Sequence, residues 1–226
     1  ALQEYRDTID ETERRVERLT DQLRTHTPGW RWAPVVEALQ ALRGVSFVTA
    51  VGLVAEVGDI RRFDHPRQLM AFLGLVPSEY SSGPSVRRGG ITKAGNPHAR
   101  RLLAEAAWAY QHRPNVIGFL LRRQKSLAIS EEAKKIAWKA QQRLHKRYLA
   151  MAARGKNKNQ IVTALGRELL GFIWAIAVET EKQHKLEFGF RTKEPGQRTT
   201  YEKEGFGAES SMLTGDLNIA DVEWVV

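Results

Sequence analysis

The stretch "GVSFVTAVGLVAEVGDIRRFDHPRQLMAFLGLVP", residues 44–77, decides the fold. Gly44 to Ser46 reads as a tight turn. Beyond it Ala50, Leu53, Val54 and Val57 recur at helical spacing until Gly58-Asp59 stops the run. A second short helix is expected from about Pro66 to Gly74, opened by proline and closed by glycine. Neither run alternates polar and apolar residues as a half-buried strand would.

The segment before it, "APVVEALQALR" at 33–43, has the same helical character, so helix, turn and helix follow one another. That layout is similar to a helix-hairpin-helix element, which offers turn amides and a helix N-terminus to a DNA phosphate without reading bases. Gly44 and Ser46 are therefore candidate nucleic-acid contacts. Ser46-Phe47 stand where such a hairpin carries its second glycine, and a plain corner between helices is the alternative.

Working outward, Leu2, Tyr5, Ile9, Thr12, Val16, Leu19 and Leu23 recur three and four residues apart, with Glu and Arg between them. This predicts a coiled coil over 1–27, at full strength from the first residue, as though the chain began inside one. A lone amphipathic helix folded onto its own domain is the competing reading. Toward the C-terminus, "YSSGPSVRRGGITKAGN" at 80–96 packs three serines, four glycines and three basic residues with no acid. A long Gly/Ser-rich loop, neither helix nor strand, is expected from Pro77 to Gly95, and loops of that length in compact domains are usually functional or disordered. Asn96 then caps a helix with Pro97 at its first position, whose apolar face runs through Leu102, Leu103, Ala106, Ala107 and Tyr110. Further helices are expected at 116–124, 130–153 and 160–181. The fold class is all-α: a coiled-coil segment 1–27, a helical domain 33–186 and an acidic irregular tail 187–226, with Ile219, Val222 and Trp224 as possible docking residues.

The net charge of +9 conceals an asymmetry. Between Pro84 and Gln160 lie 18 Lys and Arg against three Glu, whereas the last 40 residues hold four basic and eight acidic residues. So basic a middle points to a polyanion, nucleic acid first, with a solvated helical surface as the plain alternative. With no cysteine, disulfides, thiol catalysis and thiolate zinc sites are excluded, and a reducing, cytoplasmic setting fits. No apolar run approaches the ~18 residues of a membrane span, and the charged opening helix does not read as a signal peptide, so no membrane partner is expected.

The motifs of zincins, P-loops and dinucleotide folds are absent, and the six histidines are scattered. Asp59 and Asp64 read as helix caps rather than metal ligands, and no metal site is expected from this chain. What remains is the loop. A serine beside glycine can reach an exposed, unusual backbone geometry, and Arg87, Arg88 and Lys93 could clamp a phosphate and stabilise charge on a five-coordinate phosphorus. Serine attack on a phosphodiester is thus chemically feasible, although a serine in such a turn is far more often only a turn residue.

The blocks "GVSFVTA", "AEVGDIRRF", "LMAFLGLVPSEYSSG", "ITKAGN" and "RRLL", in that order over about residues 40–110, resemble the C-terminal domain of the DEDD-type insertion-sequence transposases of the IS110 group, the bridge-RNA-guided recombinases. The resemblance implies a helical transposase domain that supplies a serine nucleophile for DNA breakage and rejoining. The serine that precedes glycine after the tyrosine is Ser82, before Gly83 and after Tyr80; Ser81 departs from the pattern and stands second, Ser85 third. It also implies a separate N-terminal RuvC-like domain whose carboxylates bind Mg²⁺, a coiled coil between the halves, and self-association through that coil. The partners would be DNA (transposon ends and target) and a guide RNA, in the nucleoid of a bacterial or archaeal cell. From chemistry alone, Gly83, Ser85, Arg87, Arg88, Lys93, Asn96, Arg100 and Arg101 are the further candidate nucleic-acid contacts. The alternative function is a non-catalytic helical module that binds nucleic acid.

Overall fold

The computed structural model describes residues 2–82, 85, 87–127, 129–187, 190–192, 211–213 and 219–222. Gly83, Pro84 and Val86 lie outside the described residues, as does Trp224. The chain divides into two compact units, Ala1–Glu179 and Thr180–Val226.

The first unit is built from helices: α1 (Leu2–His26), α2 (Ala33–Leu39), α3 (Phe47–Val57), α4 (Pro66–Phe72), α5 (Pro97–Ala107), α6 (Gly118–Ser126), α7 (Glu131–Ala153) and the greater part of α8 (Lys158–Glu187). Their boundaries follow local chemistry. The Ser46 hydroxyl accepts from Thr49 N and opens α3, and Asn96 Oδ1 accepts from His98 N at 2.8 Å and Ala99 N at 3.2 Å to open α5. Asp59 caps a short 3₁₀ turn, Ile60–Arg62, as its sequence position suggests. Asp64 does not cap α4: the imidazole of the next residue, His65, accepts from Arg67 N instead.

The core lies where α2, α3, α5, α7 and α8 meet. Leu39, Ala50, Val54, Leu103, Ala107, Leu144, Leu165 and Leu169 are wholly buried there. The predicted face of α5 points inward as expected, Tyr110 included, and burial pushes its phenol upward from its ordinary value. The chain between α2 and α3 is held from α6 and the segment before it. Arg123 Nη2 and Gln124 Nε2 donate to the carbonyls of Leu42 and Ala41, while Arg43 donates to Arg113 O at 2.7 Å.

Three expectations need correction. First, residues 77–95 are not an irregular loop. Pro77–Glu79 (β1) and Arg88–Ile91 (β2) pair as an antiparallel hairpin, in register Pro77↔Ile91 and Glu79↔Arg88 with an irregularity between. Second, an apolar stretch does reach span length: Lys158–Gln183 is long and apolar enough to cross a membrane by length and composition. Half of that window is buried within the protein, and Ile161, Leu165, Leu169, Ile173 and Ile176 are core residues, so packing accounts for it. Third, in the second unit the tail contains paired chain. Phe190–Thr192 (β3), Ser211–Leu213 (β4) and Ile219–Val222 (β5) form an antiparallel sheet in the order β3-β5-β4. Helix nonetheless dominates, as the fold class requires.

The helix α1 buries none of its side chains. Its stripe stands open, from Leu2 at 78 % exposure to Leu23 at 37 %.

Candidate functional site

The β1–β2 hairpin carries most of the residues singled out above. Beyond the two strands its arms stay paired: Tyr80 N donates to Arg87 O at 2.8 Å, and Ser82 and Ser85 exchange N–H···O bonds at 3.2 Å in both directions. Side chains alternate along an extended strand and directly opposed residues share a face. Tyr80 and Ser82 on one arm therefore share a face with Ser85 and Arg87 on the other. Glu79 and Ser81 belong to the opposite face.

That division separates the two leading serines. The Ser81 hydroxyl donates to Glu79 Oε1 at 2.8 Å. Ser82 is exposed, and its hydroxyl has no hydrogen-bond partner among the described residues. Arg87 is also exposed and makes no ion pair among them. One step diagonally across the arms, about 7–8 Å between backbones, lies within reach of a guanidinium.

The base of the hairpin is the opposite in character. Thr92 N donates to Val76 O and Lys93 N to Gly74 O, so the strands run directly into a crossing of two backbone segments. Gly74 (φ +66°) and Gly95 (φ +78°) sit at that crossing in left-handed conformations. A Cβ on Gly74 would stand 2.0 Å from Ala94 O, and one on Gly95 2.0 Å from Phe72 O. Only glycine satisfies both the dihedral and the space. Lys93, with φ +58°, holds a left-handed conformation without being glycine. Arg100 secures the crossing: its Nη1 donates to the carbonyls of Leu73 (3.1 Å), Ala94 (2.8 Å) and Gly95 (3.1 Å).

Beside the base stands a cluster that sequence reasoning missed as a unit. Glu56, on the last turn of α3, accepts from Asn96 Nδ2 and pairs with His98 Nδ1 at 2.8 Å. The His98 hydrogen bond, ahead of the Asn96 bond, holds the Glu56 carboxyl below its ordinary value, partly opposed by desolvation. Asn96 thus spends one end of its amide capping α5 and the other joining α5 to α3.

The candidates therefore separate. Ser82, Ser85 and Arg87 come together at the exposed end of the hairpin, about 20 Å from its base by strand rise. Lys93 is exposed at the base. Asn96 and Arg100 are occupied by the protein itself, and Arg101 is exposed with Glu105 3.4 Å away. Arg88 pairs through its backbone with Glu79. Gly83 lies outside the described residues. In the α2–α3 corner, a Cβ on Gly44 would meet Ala106 O at 2.2 Å, so close packing against α5 accounts for glycine there. The Ser46 hydroxyl caps α3 and bonds Thr49 Oγ1 at 2.8 Å.

No group of three or more His, Cys, Asp or Glu is arranged to hold a metal ion among the described residues.

Residues 36–119 match a family model described as transposase, IS116/IS110/IS902 family. The chain is 50% identical over 155 residues to a Sinorhizobium fredii protein whose name marks it as transposase y4qE, covering 69% of this chain and 39% of that relative. It is 33% identical over 145 residues to the transposase for insertion sequence element IS1111A of Coxiella burnetii, covering 64% of this chain and 33% of the relative. The chain thus spans well under half the length of these curated relatives.

Proposed function

We propose that this chain, whose residues 36–119 match the IS116/IS110/IS902 transposase family model, is part of an insertion-sequence transposase that breaks and rejoins DNA, with Ser82 as its nucleophile. The observation that carries the reading is the exposed, unbonded Ser82 hydroxyl on the same hairpin face as Arg87. Ser81, tied to Glu79 on the other face, fits the role less well.

In the proposed step the Ser82 oxygen attacks a DNA phosphorus, giving up its proton to a base. The P–O bond to a deoxyribose oxygen breaks, that oxygen takes the proton from the protonated base and leaves as a hydroxyl, and a phosphoserine ester remains. Attack by a free deoxyribose hydroxyl on that ester restores the phosphodiester and frees the serine, so strands are rejoined without ATP. Arg87, with Arg88 and Lys93 nearby in sequence, offers positive charge to the five-coordinate phosphorus. The base and any Mg²⁺ belong to a separate N-terminal carboxylate domain. Guide RNA and DNA bind along the basic middle of the chain, and the open stripe of α1 pairs with further copies.

The test is covalent trapping. The full-length transposase, assembled with its guide RNA and a nicked target, is expected to yield a protein–DNA adduct that Ser82→Ala abolishes and Ser81→Ala retains. An adduct that survives Ser82→Ala overturns the assignment. A Ser82→Ala protein with every activity intact, alongside binding lost on charge reversal at Arg87 and Arg101, assigns the chain instead as a non-catalytic binding module.

A further inference from the structure

Helix α7 lies outside the segment matched by the family model. No acidic residue follows Glu132 on this helix. Its buried side, Ala133, Ala137, Ala140, Gln141 and Leu144, packs inward. The outer side presents a stripe at spacings of three and four: Lys135, Trp138, Lys139, Gln142 and Lys146, all exposed. It spans about 16 Å of helix axis.

Two features set this stripe apart from an ordinary solvated face. The first is where the charges go. Lys134 pairs with Glu131 and Lys135 with Glu132, and Arg143 and Arg147 both turn to Glu168 of α8, so these four cations serve the fold. Lys139 and Lys146, in contrast, make no ion pair among the described residues. The second is Trp138, whose large apolar ring stays 40 % exposed in the middle of the lysines. Phosphates alone call for cations and have no use for an indole. An unpaired base does, because its face is free to stack, whereas the bases of a duplex stack on one another.

We propose that this face of α7 is a binding platform for single-stranded nucleic acid, with Trp138 stacking on a base while Lys139 and Lys146 hold the flanking phosphates. The proposal rests on the reading of the chain as a nucleic-acid enzyme but does not involve Ser82. It concerns unpaired strand, the form that a displaced DNA strand or an RNA loop takes.

The test is fluorescence anisotropy of the chain with a labelled oligothymidylate of about 20 nucleotides and with a duplex of the same length. Trp138→Ala is expected to weaken binding of the strand about tenfold while leaving the duplex within about twofold, and Trp138→Phe to keep most of the affinity. Lys139→Gln with Lys146→Gln, both on solvated positions, is expected to lower the salt slope for the strand by about 1.4. Trp138→Ala binding the strand like the unmodified chain overturns the proposal. So does equal loss of strand and duplex, an unchanged salt slope, or polyglutamate bound with the same dependence on Trp138. Ser82→Ala should bind oligothymidylate normally. Loss of the adduct assignment with this binding intact, or the reverse, therefore tells the two readings apart.

Discussion

The two ends of one hairpin obey opposite rules. At the base the backbone is committed: two glycines sit where a Cβ would clash, a single guanidinium serves three carbonyls, and a carboxylate joins α3 to α5 through Asn96 and His98. At the far end Tyr80 is 77 % exposed and Ser82 is bonded only through its backbone. Stability is concentrated where the hairpin leaves the core. The chemistry we propose falls to the part whose side chains stand exposed. A nucleophile needs that arrangement, since a hydroxyl already satisfied by protein partners would have to break those bonds before reacting.

Substitutions at the two ends should therefore separate stability from activity. The largest effect on folding is expected from Gly95→Ala, where a left-handed dihedral and an approach of 2.0 Å to Phe72 O are both violated; urea denaturation should show a loss of about 2–4 kcal/mol. Ser82→Ala in the same assay should stay within about 0.5 kcal/mol of the unmodified chain while abolishing the adduct. Equal costs for the two would erase the contrast. Next comes Arg100→Leu, which strands three carbonyls and is expected to cost about 1–3 kcal/mol. A cost near zero would mean that water replaces the clamp without loss.

The smallest effect is one of pH. Because the folded Glu56 carboxyl sits below its ordinary value of 4.5, its contribution is present above that value and lost as pH falls through the lowered one. Unmodified chain should thus lose more of its urea midpoint on acidification than Glu56→Gln. Parallel acid profiles for the two would show that the His98 pairing adds no stability.

Much of the helical body was legible in the sequence because its signals are local. Asn96-Pro97 carries its own cap and its own fixed dihedral, and the apolar face of α5 repeats within a few residues. The hairpin was not, since its strands are short, exposed and rich in glycine and serine, and lack the alternation that betrays a strand with one buried side. What pairs them is contact between residues a dozen positions apart. Glu56 and His98 lie farther apart still, on different helices, and only the packing of α3 on α5 unites them. The cap of α4 was misassigned by one position because an imidazole nitrogen accepts a backbone N–H as readily as a carboxylate does. The helix of α8 was expected at 160–181, but its span-length window was not, because Arg167 and Glu168 interrupt the apolar run. Ser82 was ranked ahead of Ser81 through the family resemblance, and the hairpin adds that the two occupy opposite faces, with Ser81 bonded to Glu79.

The glycine crossing also has a mechanical meaning. With Leu73 and Gly95 bound to the same guanidinium, the hairpin cannot swing without carrying the end of α4 and the start of α5 with it. Force applied at its outer end, as by a tethered strand under tension, is delivered to two helix termini together, and the helical body feels the load as a keyed shaft feels torque.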